Sequence, residues 1–321
     1  MKKTLNIIVF LILIPFLAGC GNTMKNNNNT NEAFNLQTKV YDVINDNAFE
    51  GFGNLIFPVD RNIPKDMTLE NAGDLYIWYN NINPNKTVEI VNYMKDQTTK
   101  GNKIFYNIYS KEEMEADPEK KNTGLFFFRG NENSKFAVLN AGGGFMYVGA
   151  MHDSFPHALE LSKKGYNAFA LIYRPDPEKA MEDLSNAISF IFDNADELKI
   201  DTSGYSVWGG SAGGRMAAWL GSYGTDYFIN KDYPKPSTVI MQYTSLSEVT
   251  GNEPATYSVV GTNDGIADYR IMQERTNRIR RNGTDAKIEI FEGLSHGFGL
   301  GEGTNAQGWI ENAVKFWEEH M

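Results

Sequence analysis

A serine lies at the centre of a short glycine-rich motif in the middle of the chain. The run Gly209-Gly210-Ser211-Ala212-Gly213 fits the pattern G-x-S-x-G, after a strand-like stretch and before a helix-forming one. A strand-to-helix turn of this kind lifts the serine hydroxyl above the sheet, and glycines avoid clashes where the turn touches its neighbours. The motif predicts Ser211 as a nucleophile; the alternative is a structural glycine turn.

A serine hydroxyl needs a base and an orienting acid. His296 lies in a glycine-rich loop after the last predicted strand, and Asp264 follows the strand before it. The order Ser211, Asp264, His296 is the one that acyl hydrolases of strand–helix architecture use. Asp268 is the rival acid, and either aspartate could instead cap the following helix.

A second glycine run, Gly142 to Gly144, follows another predicted strand. The backbone N–H groups of Gly143 and Gly144, together with that of Ala212, could stabilise the oxyanion of a tetrahedral intermediate. A dinucleotide loop is excluded because G-x-G-x-x-G would need glycine where Tyr147 stands.

Two histidines and one arginine have less specific interpretations. His152 and His157 are five residues apart, whereas a helical metal pair prefers four, so packing or pocket lining is favoured over metal binding. Arg174 at a strand end favours a structural salt bridge over binding of a carboxylate substrate. The sequence predicts no metal site and no cofactor.

Alternating strands and helices must position these residues. The strand candidates are 104–109, 125–128, 136–140, 168–173, 205–208, 238–243, 256–260 and 287–291. The helix candidates are 155–164, 177–198, 212–221, 269–282 and 306–319. This alternation predicts an α/β fold over residues 104–321, with a mostly parallel eight-stranded sheet and helices on both faces.

Residues 34–103 differ from the rest. They contain two predicted helices, near 36–44 and 84–95, and several aromatic residues in irregular sequence. This segment is either an extension packed on the main domain or a cap whose aromatic side chains line a substrate pocket, and the two are compatible.

The N-terminus resembles a targeting signal. A basic head at Lys2 and Lys3 precedes the apolar run Ile7–Ala18, which is too short to span a membrane. The following Gly19-Cys20 resembles a bacterial lipobox, which predicts a signal peptide at 1–19 and a lipidated Cys20. Residues 20–33, rich in asparagine, would form a flexible tether. The chain would then be extracytoplasmic and attached to a bacterial membrane only through its lipid; an ordinary signal peptide is the alternative.

Composition argues for a globular protein and against a nucleic-acid-binding one. The 321 residues are 41% hydrophobic and 22% charged, as in globular proteins, and the net charge is −10. Nucleic acid is a poor partner for such a chain because phosphate binding needs clustered lysine and arginine.

Residues of about 104–319 resemble the α/β-hydrolase superfamily. They are most similar to hormone-sensitive-lipase-like carboxylesterases and to the feruloyl and acetyl-xylan esterase group. The oxyanion motif H-G-G-G-[FW] corresponds to Ala141–Phe145, the elbow G-D-S-A-G-G to Gly209–Gly214, and a tyrosine–arginine pair to Tyr173-Arg174. Ala141 and Gly210 depart from those patterns.

The resemblance implies a serine carboxylesterase acting on small-molecule or carbohydrate esters, with short acyl chains such as acetyl. Two alternatives remain. One is a serine peptidase of the prolyl-oligopeptidase kind. The other is a non-catalytic binding lipoprotein that kept this fold.

Overall fold

The computed structural model describes residues 32–80 and 82–321 of the chain. The predicted signal peptide at 1–19, Cys20 and most of the predicted tether at 20–33 lie outside the described residues. Residues 33–321 form one unit. None of the helices in the described part combines the length and the apolar character that crossing a bilayer requires.

One sheet contains the strands β1 to β8. Their bounds are Phe105–Tyr106, Gly124–Phe128, Lys135–Asn140, Asn167–Ile172, Asp201–Gly210, Thr238–Gln242, Ala255–Gly261 and Ala286–Phe291. The strands lie in the order β1-β2-β4-β3-β5-β6-β7-β8. Only the pairs β1–β2 and β2–β4 are antiparallel. The predicted mostly parallel sheet of eight strands is confirmed.

Eleven α-helices, α1 to α11, are found in the described residues. Their bounds are Val40–Ile44, Pro84–Thr99, Lys111–Ala116, Ala150–Asp153, Phe155–Lys163, Pro177–Asp193, Ala195–Leu198, Ala212–Tyr223, Asp226–Ile229, Tyr269–Arg281 and Trp309–Glu318. Short 3₁₀ helices occur at Asn47–Phe49, Gly53–Leu55, Ala72–Leu75 and Pro118–Asn122.

Helices cover both faces of the sheet. Trp208 of β5 packs against Trp309 and Trp317 of α11. The next strand position, Val207, points to the opposite face, because successive side chains alternate in a strand. Its partner in β6, Val239, lies against Gly221 of α8 on that face. Burial on both faces explains why these strands are almost continuously apolar.

Several predicted elements have different bounds. The strand expected over 205–208 is longer, as β5, and the helices expected near 36–44 and over 306–319 are shorter, as α1 and α11. The strand expected over 104–109 is shorter, because Ser110 caps α3 in a capping box with Glu113 and the chain leaves the sheet. The helix expected over 177–198 divides into α6 and α7 at Asn194.

The segment before β1 packs on the antiparallel edge of the sheet. Phe52 stacks on Phe105 at 5.0 Å between ring centroids, and Tyr93 of α2 stacks on Phe128 at 5.4 Å. The same segment also reaches the carboxyl edge of the parallel strands, through residues 78–80.

Candidate active site

The turn between β5 and α8 carries Ser211. Its backbone has φ 51° and ψ −118°, a conformation that non-glycine residues rarely adopt. Two hydrogen bonds stabilise it: the Ser211 N–H donates to the Gln242 carbonyl at 2.9 Å, and the Thr244 hydroxyl donates to the Ser211 carbonyl at 2.9 Å. The neighbouring β6 therefore fixes the strained serine.

Ser211, His296 and Asp264 are in direct contact. The distance from Ser211 Oγ to His296 Nε2 is 3.1 Å, and that from His296 Nδ1 to Asp264 Oδ2 is 2.8 Å. An ionised carboxylate only accepts hydrogen bonds, so Nδ1 carries a proton and its N–H donates a hydrogen bond to Asp264. This tautomer leaves the Nε2 lone pair facing the serine hydroxyl, where it can accept the serine proton.

Backbone groups orient the acid. Asp264 Oδ1 accepts hydrogen bonds from the N–H groups of Ile266 at 2.8 Å and Ala267 at 2.7 Å. Asp268, the rival acid, instead caps α10 by accepting from the Arg270 N–H at 2.9 Å. The structure therefore places Asp264 rather than Asp268 against His296.

The predicted oxyanion donors line the two cavities that Ser211 borders. Gly143, Gly144 and Ser211 line one cavity, and Gly144, Ser211 and Ala212 line the next. Among the described residues, none accepts a hydrogen bond from the backbone N–H groups of Gly143, Gly144 or Ala212. Three donors are thus available beside Ser211 Oγ.

The pair Tyr173-Arg174 packs next to the glycine run 142–144. The Tyr173 hydroxyl donates to the Ala141 carbonyl at 2.6 Å, at the entrance to the glycine run. Arg174 is buried and forms salt bridges with Asp183, Glu182 and Asp117. Arg174 therefore has the structural role that the sequence favoured.

The segment before β1 binds the loop that carries His296, here called the histidine loop. The sequence analysis did not predict this contact. Asn80 donates through its amide nitrogen to the His296 carbonyl at 2.9 Å and through its backbone N–H to the Gly297 carbonyl at 3.2 Å. Trp78 and Tyr79 line the cavity beside Ser211. These two side chains lie where the interpretation of the segment as a cap expects its aromatic residues. No motif marks Asn80, because only the folded chain brings position 80 next to position 296.

Two open cavities flank Ser211 and differ in character. One, of 390 Å³, is walled by Trp78, Tyr79, Met146 and Ile266 and is largely apolar. The other, of 220 Å³, is bordered by Arg215, Thr244 and Ser245. One nucleophile thus faces an apolar and a more polar compartment.

The other two histidines of this region are buried and used for packing. His152 Nε2 donates to the Gly297 carbonyl at 2.8 Å, and Gln242 donates to His157 Nε2 at 3.2 Å. Burial lowers the pKa of both imidazoles, that of His157 to about 4. The described residues contain no group of three or more histidine, cysteine or acidic side chains placed to hold a metal ion.

Comparison with known proteins identifies the fold. The BD-FAE family model matches residues 128–276, a stretch that includes Ser211 and Asp264. No curated protein sequence matches the chain.

Three solved structures illustrate the similarity. Esterase 2 of the planctomycete Thermogutta terrifontis, bound to propionate, is 20% identical with a TM-score of 0.55, and the match covers 61% of this chain and 89% of that one. The acetyl ester-xyloside bifunctional hydrolase of Caldicellulosiruptor lactoaceticus is 18% identical with a TM-score of 0.59 and coverages of 67% and 95%. MGS-M1, an α/β-hydrolase enzyme from a deep-sea metagenome of the Medee basin, is 20% identical with a TM-score of 0.52 and coverages of 61% and 92%. The chain has the α/β-hydrolase fold, as predicted.

Proposed function

We propose that the protein is a serine carboxylesterase in which Ser211, His296 and Asp264 form the catalytic triad. The observation that carries this proposal is the unbroken chain of contacts from Ser211 Oγ through His296 to Asp264, at 3.1 and 2.8 Å, beside three unpaired N–H groups. This arrangement supplies a nucleophile, a base, an orienting acid and an oxyanion site without a metal or an organic cofactor.

The reaction follows from these positions. Ser211 Oγ bonds to the ester carbonyl carbon while its proton passes to His296 Nε2. The N–H groups of Gly143, Gly144 and Ala212 stabilise the oxyanion. The bond from carbon to the alcohol oxygen then breaks, and His296 returns the proton to the leaving alcohol. Water attacks the acyl-enzyme, again losing a proton to His296; the bond to Oγ breaks, and that proton restores the serine hydroxyl.

The two cavities suggest where the acyl and the alcohol parts of the ester bind. An acyl group would lie against Trp78 and Met146 in the apolar cavity, and a hydroxyl-rich alcohol would face Arg215 and Thr244 in the more polar one. Two structural neighbours support a short acyl chain, one bound to propionate and one named for its action on acetyl esters.

An aromatic surface supports a carbohydrate as the alcohol. Phe145, in the more polar cavity, stacks on Trp219 with an interplanar angle of 7°. Trp219 opens onto a groove of 510 Å³ that Tyr223 and Tyr227 also line. Glu178 and Glu248 also line this groove. Aromatic rings suit the apolar faces of sugar rings, and carboxylates accept hydrogen bonds from sugar hydroxyls. The acetyl ester-xyloside hydrolase among the structural neighbours agrees with this choice.

Ester hydrolysis tests the proposal. The full chain and its Ser211→Ala variant would be assayed on p-nitrophenyl esters from acetate to decanoate and on acetylated xylo-oligosaccharides. We expect rates that fall with acyl length and vanish in the variant. A fluorophosphonate probe should label the wild type but not Ser211→Ala, as paraoxon phosphorylates the Thermogutta esterase. Cleavage of peptides but not esters would favour the peptidase, and an unlabelled, inactive protein would favour the binding lipoprotein.

We also propose that Cys20 carries the lipid that anchors the enzyme outside the cytoplasm. The support is the apolar run ending at Gly19-Cys20, which contains the only cysteine of the chain. Two or more acyl chains hold a protein stably on a membrane. In a bacterial host, an alkyne fatty acid should label the wild type and not Cys20→Ser; equal labelling of the two would contradict the anchor.

A further inference from the structure

Asp153 is a buried carboxylate beside the proposed active site that the mechanism does not use. It is 2% exposed, and within the described residues no lysine or arginine forms a salt bridge with it. A buried charge without a cation is costly unless hydrogen bonds stabilise it. Its position therefore requires specific donors.

Three donors meet this carboxylate, and each comes from a different part of the chain. The Gly142 N–H donates to Oδ2 at 2.8 Å, the Tyr79 hydroxyl donates to Oδ2 at 3.1 Å, and the Tyr243 hydroxyl donates to Oδ1. Burial and the adjacent Asp153 charge hold the pKa of both tyrosine hydroxyls well above the usual value, so they remain protonated donors. Asp153 thus joins the glycine run, the segment before β1 and the end of β6.

Each of these partners also touches the proposed catalytic machinery. Gly142 directly precedes the donors Gly143 and Gly144, and a Cβ at Gly142 would lie 2.8 Å from Ser211 Cβ. The Tyr243 ring packs edge-on against His296 at 4.9 Å. The backbone and ring of Tyr79 lie against Gly297 of the histidine loop.

The elbow itself leaves room for the carboxylate. A Cβ at Gly210, the residue before the nucleophile, would lie 2.3 Å from Asp153 Oδ2 and 2.5 Å from Oδ1. The backbone of Gly210 is not in the left-handed region, so alanine is restricted there by Asp153 rather than by its own φ. Glycine at 210 and the carboxylate of Asp153 are therefore a matched pair.

We propose that Asp153 is a positioning residue that fixes the oxyanion loop, Gly142–Gly144, relative to Ser211 and His296. The inference rests on the proposed esterase function. A hydrogen bond to a carboxylate is about twice as strong as one between neutral groups. The hydrogen bond from the Gly142 N–H to Asp153 therefore fixes the peptide that leads into Gly143. The role of the carboxylate is geometric, since a negative charge here would by itself oppose an oxyanion.

Kinetics of Asp153→Ala in the full chain test the proposal. We expect kcat for p-nitrophenyl acetate to fall ~10²-fold, in the range of losing one oxyanion donor, with KM within about threefold. Asp153→Asn, which keeps one acceptor oxygen, should recover part of the loss. The control is Glu253→Ala, which removes another buried carboxylate; Glu253 accepts hydrogen bonds from the backbone N–H groups of Thr250 and Gly251. Glu253 precedes β7, at the amino ends of the parallel strands and away from Ser211. This variant should keep kcat within about threefold of wild type.

A double-mutant cycle gives the sharper test. Gly210→Ala should reduce kcat strongly in the wild type, because the new methyl displaces the carboxylate, but should add little in the Asp153→Ala background. If Asp153→Ala does not fold, Tyr79→Phe and Tyr243→Phe, each removing one donor, should still lower kcat without raising KM. Losses that simply multiply in the cycle, or an unchanged kcat in Asp153→Ala, would overturn the proposal.

Hydrogen exchange separates this proposal from the esterase assignment. Peptides covering residues 140–150 should exchange faster in Asp153→Ala than in the wild type and in Glu253→Ala, whether or not any ester is hydrolysed. If exchange is faster in Asp153→Ala but the wild type hydrolyses no ester, the positioning role of Asp153 stands and the esterase function is refuted. Unchanged exchange would refute the positioning contact itself.

Discussion

Replacing Gly213 with alanine should separate the nucleophile from its oxyanion donors. The Cβ of an alanine at 213 would lie 1.9 Å from the Asn140 carbonyl oxygen and 2.7 Å from that of Ala141. Both contacts are with backbone, so side-chain rotation cannot relieve them. Because β3 leads from Asn140 into Gly143 and α8 starts beside Ser211, the required shift of about 1 Å changes the distance between these two parts of the site.

The expected magnitude follows from that displacement. A misplacement of about 1 Å costs ~10²-fold in rate, equivalent to about 2.7 kcal/mol of transition-state stabilisation. Overpacking adds about 1–3 kcal/mol of destabilisation. We therefore expect kcat/KM for p-nitrophenyl acetate to fall ~10²-fold per folded molecule, with a lower Tm.

Gly221→Ala, in the same helix, is the matched control. Its Cβ would lie 2.7 Å from Val239 Cγ2 and 3.0 Å from the Pro254 ring, both side-chain atoms. This variant should lose stability but keep kcat/KM within about threefold, because overpacking nearly three helical turns from Ser211 does not move the elbow. A folded Gly213→Ala enzyme with kcat/KM within about threefold of wild type would refute the reasoning.

Two further predictions concern the histidines. Asn80→Ala leaves the His296 carbonyl without its 2.9 Å side-chain donor. At about 1–2 kcal/mol for the lost bond, kcat should fall ~5–30-fold. The control Asn102→Ala removes an exposed amide that donates to Gln97 and should behave as wild type; equal kcat values in the two variants would contradict the role of Asn80. Burial lowers the pKa of His157 to about 4, from 6.5 when unfolded. Between these values the unfolded chain binds a proton that the folded chain does not, so stability falls as pH falls, by about 2 kcal/mol at pH 5. Urea unfolding at pH 7.5 and 5 should show this loss reduced in His157→Gln; an identical loss in the variant would refute it.

The parts of the fold that local sequence dictates were predictable. Seven of the eight strands agree with their candidates apart from the ends, because buried β-branched and aromatic runs between turn residues mark parallel strands. Ser211 was identifiable because its glycines are required within the turn itself. β1 is shorter than its candidate because a local signal, the Ser110–Glu113 capping box, starts α3 close behind it.

Contacts between distant parts of the chain could not be predicted in this way. Nothing near Asp153 in the sequence indicates that Tyr79, Tyr243 and Gly142 would surround it, and nothing near Asn80 points to His296. The sequence favoured Asp264 over Asp268 by its place directly after a strand, but only the folded β7–α10 loop shows which carboxylate faces His296.

Local sequence therefore accounts for the order of strands and helices, the strained serine turn and the glycine run, since each depends on neighbouring residues and their steric limits. How the loops that carry these groups are held together follows from tertiary contacts alone. Those loops join positions as far apart as Asn80 and His296, and only the assembled eight-stranded sheet with its covering segment brings their hydrogen-bond partners within reach.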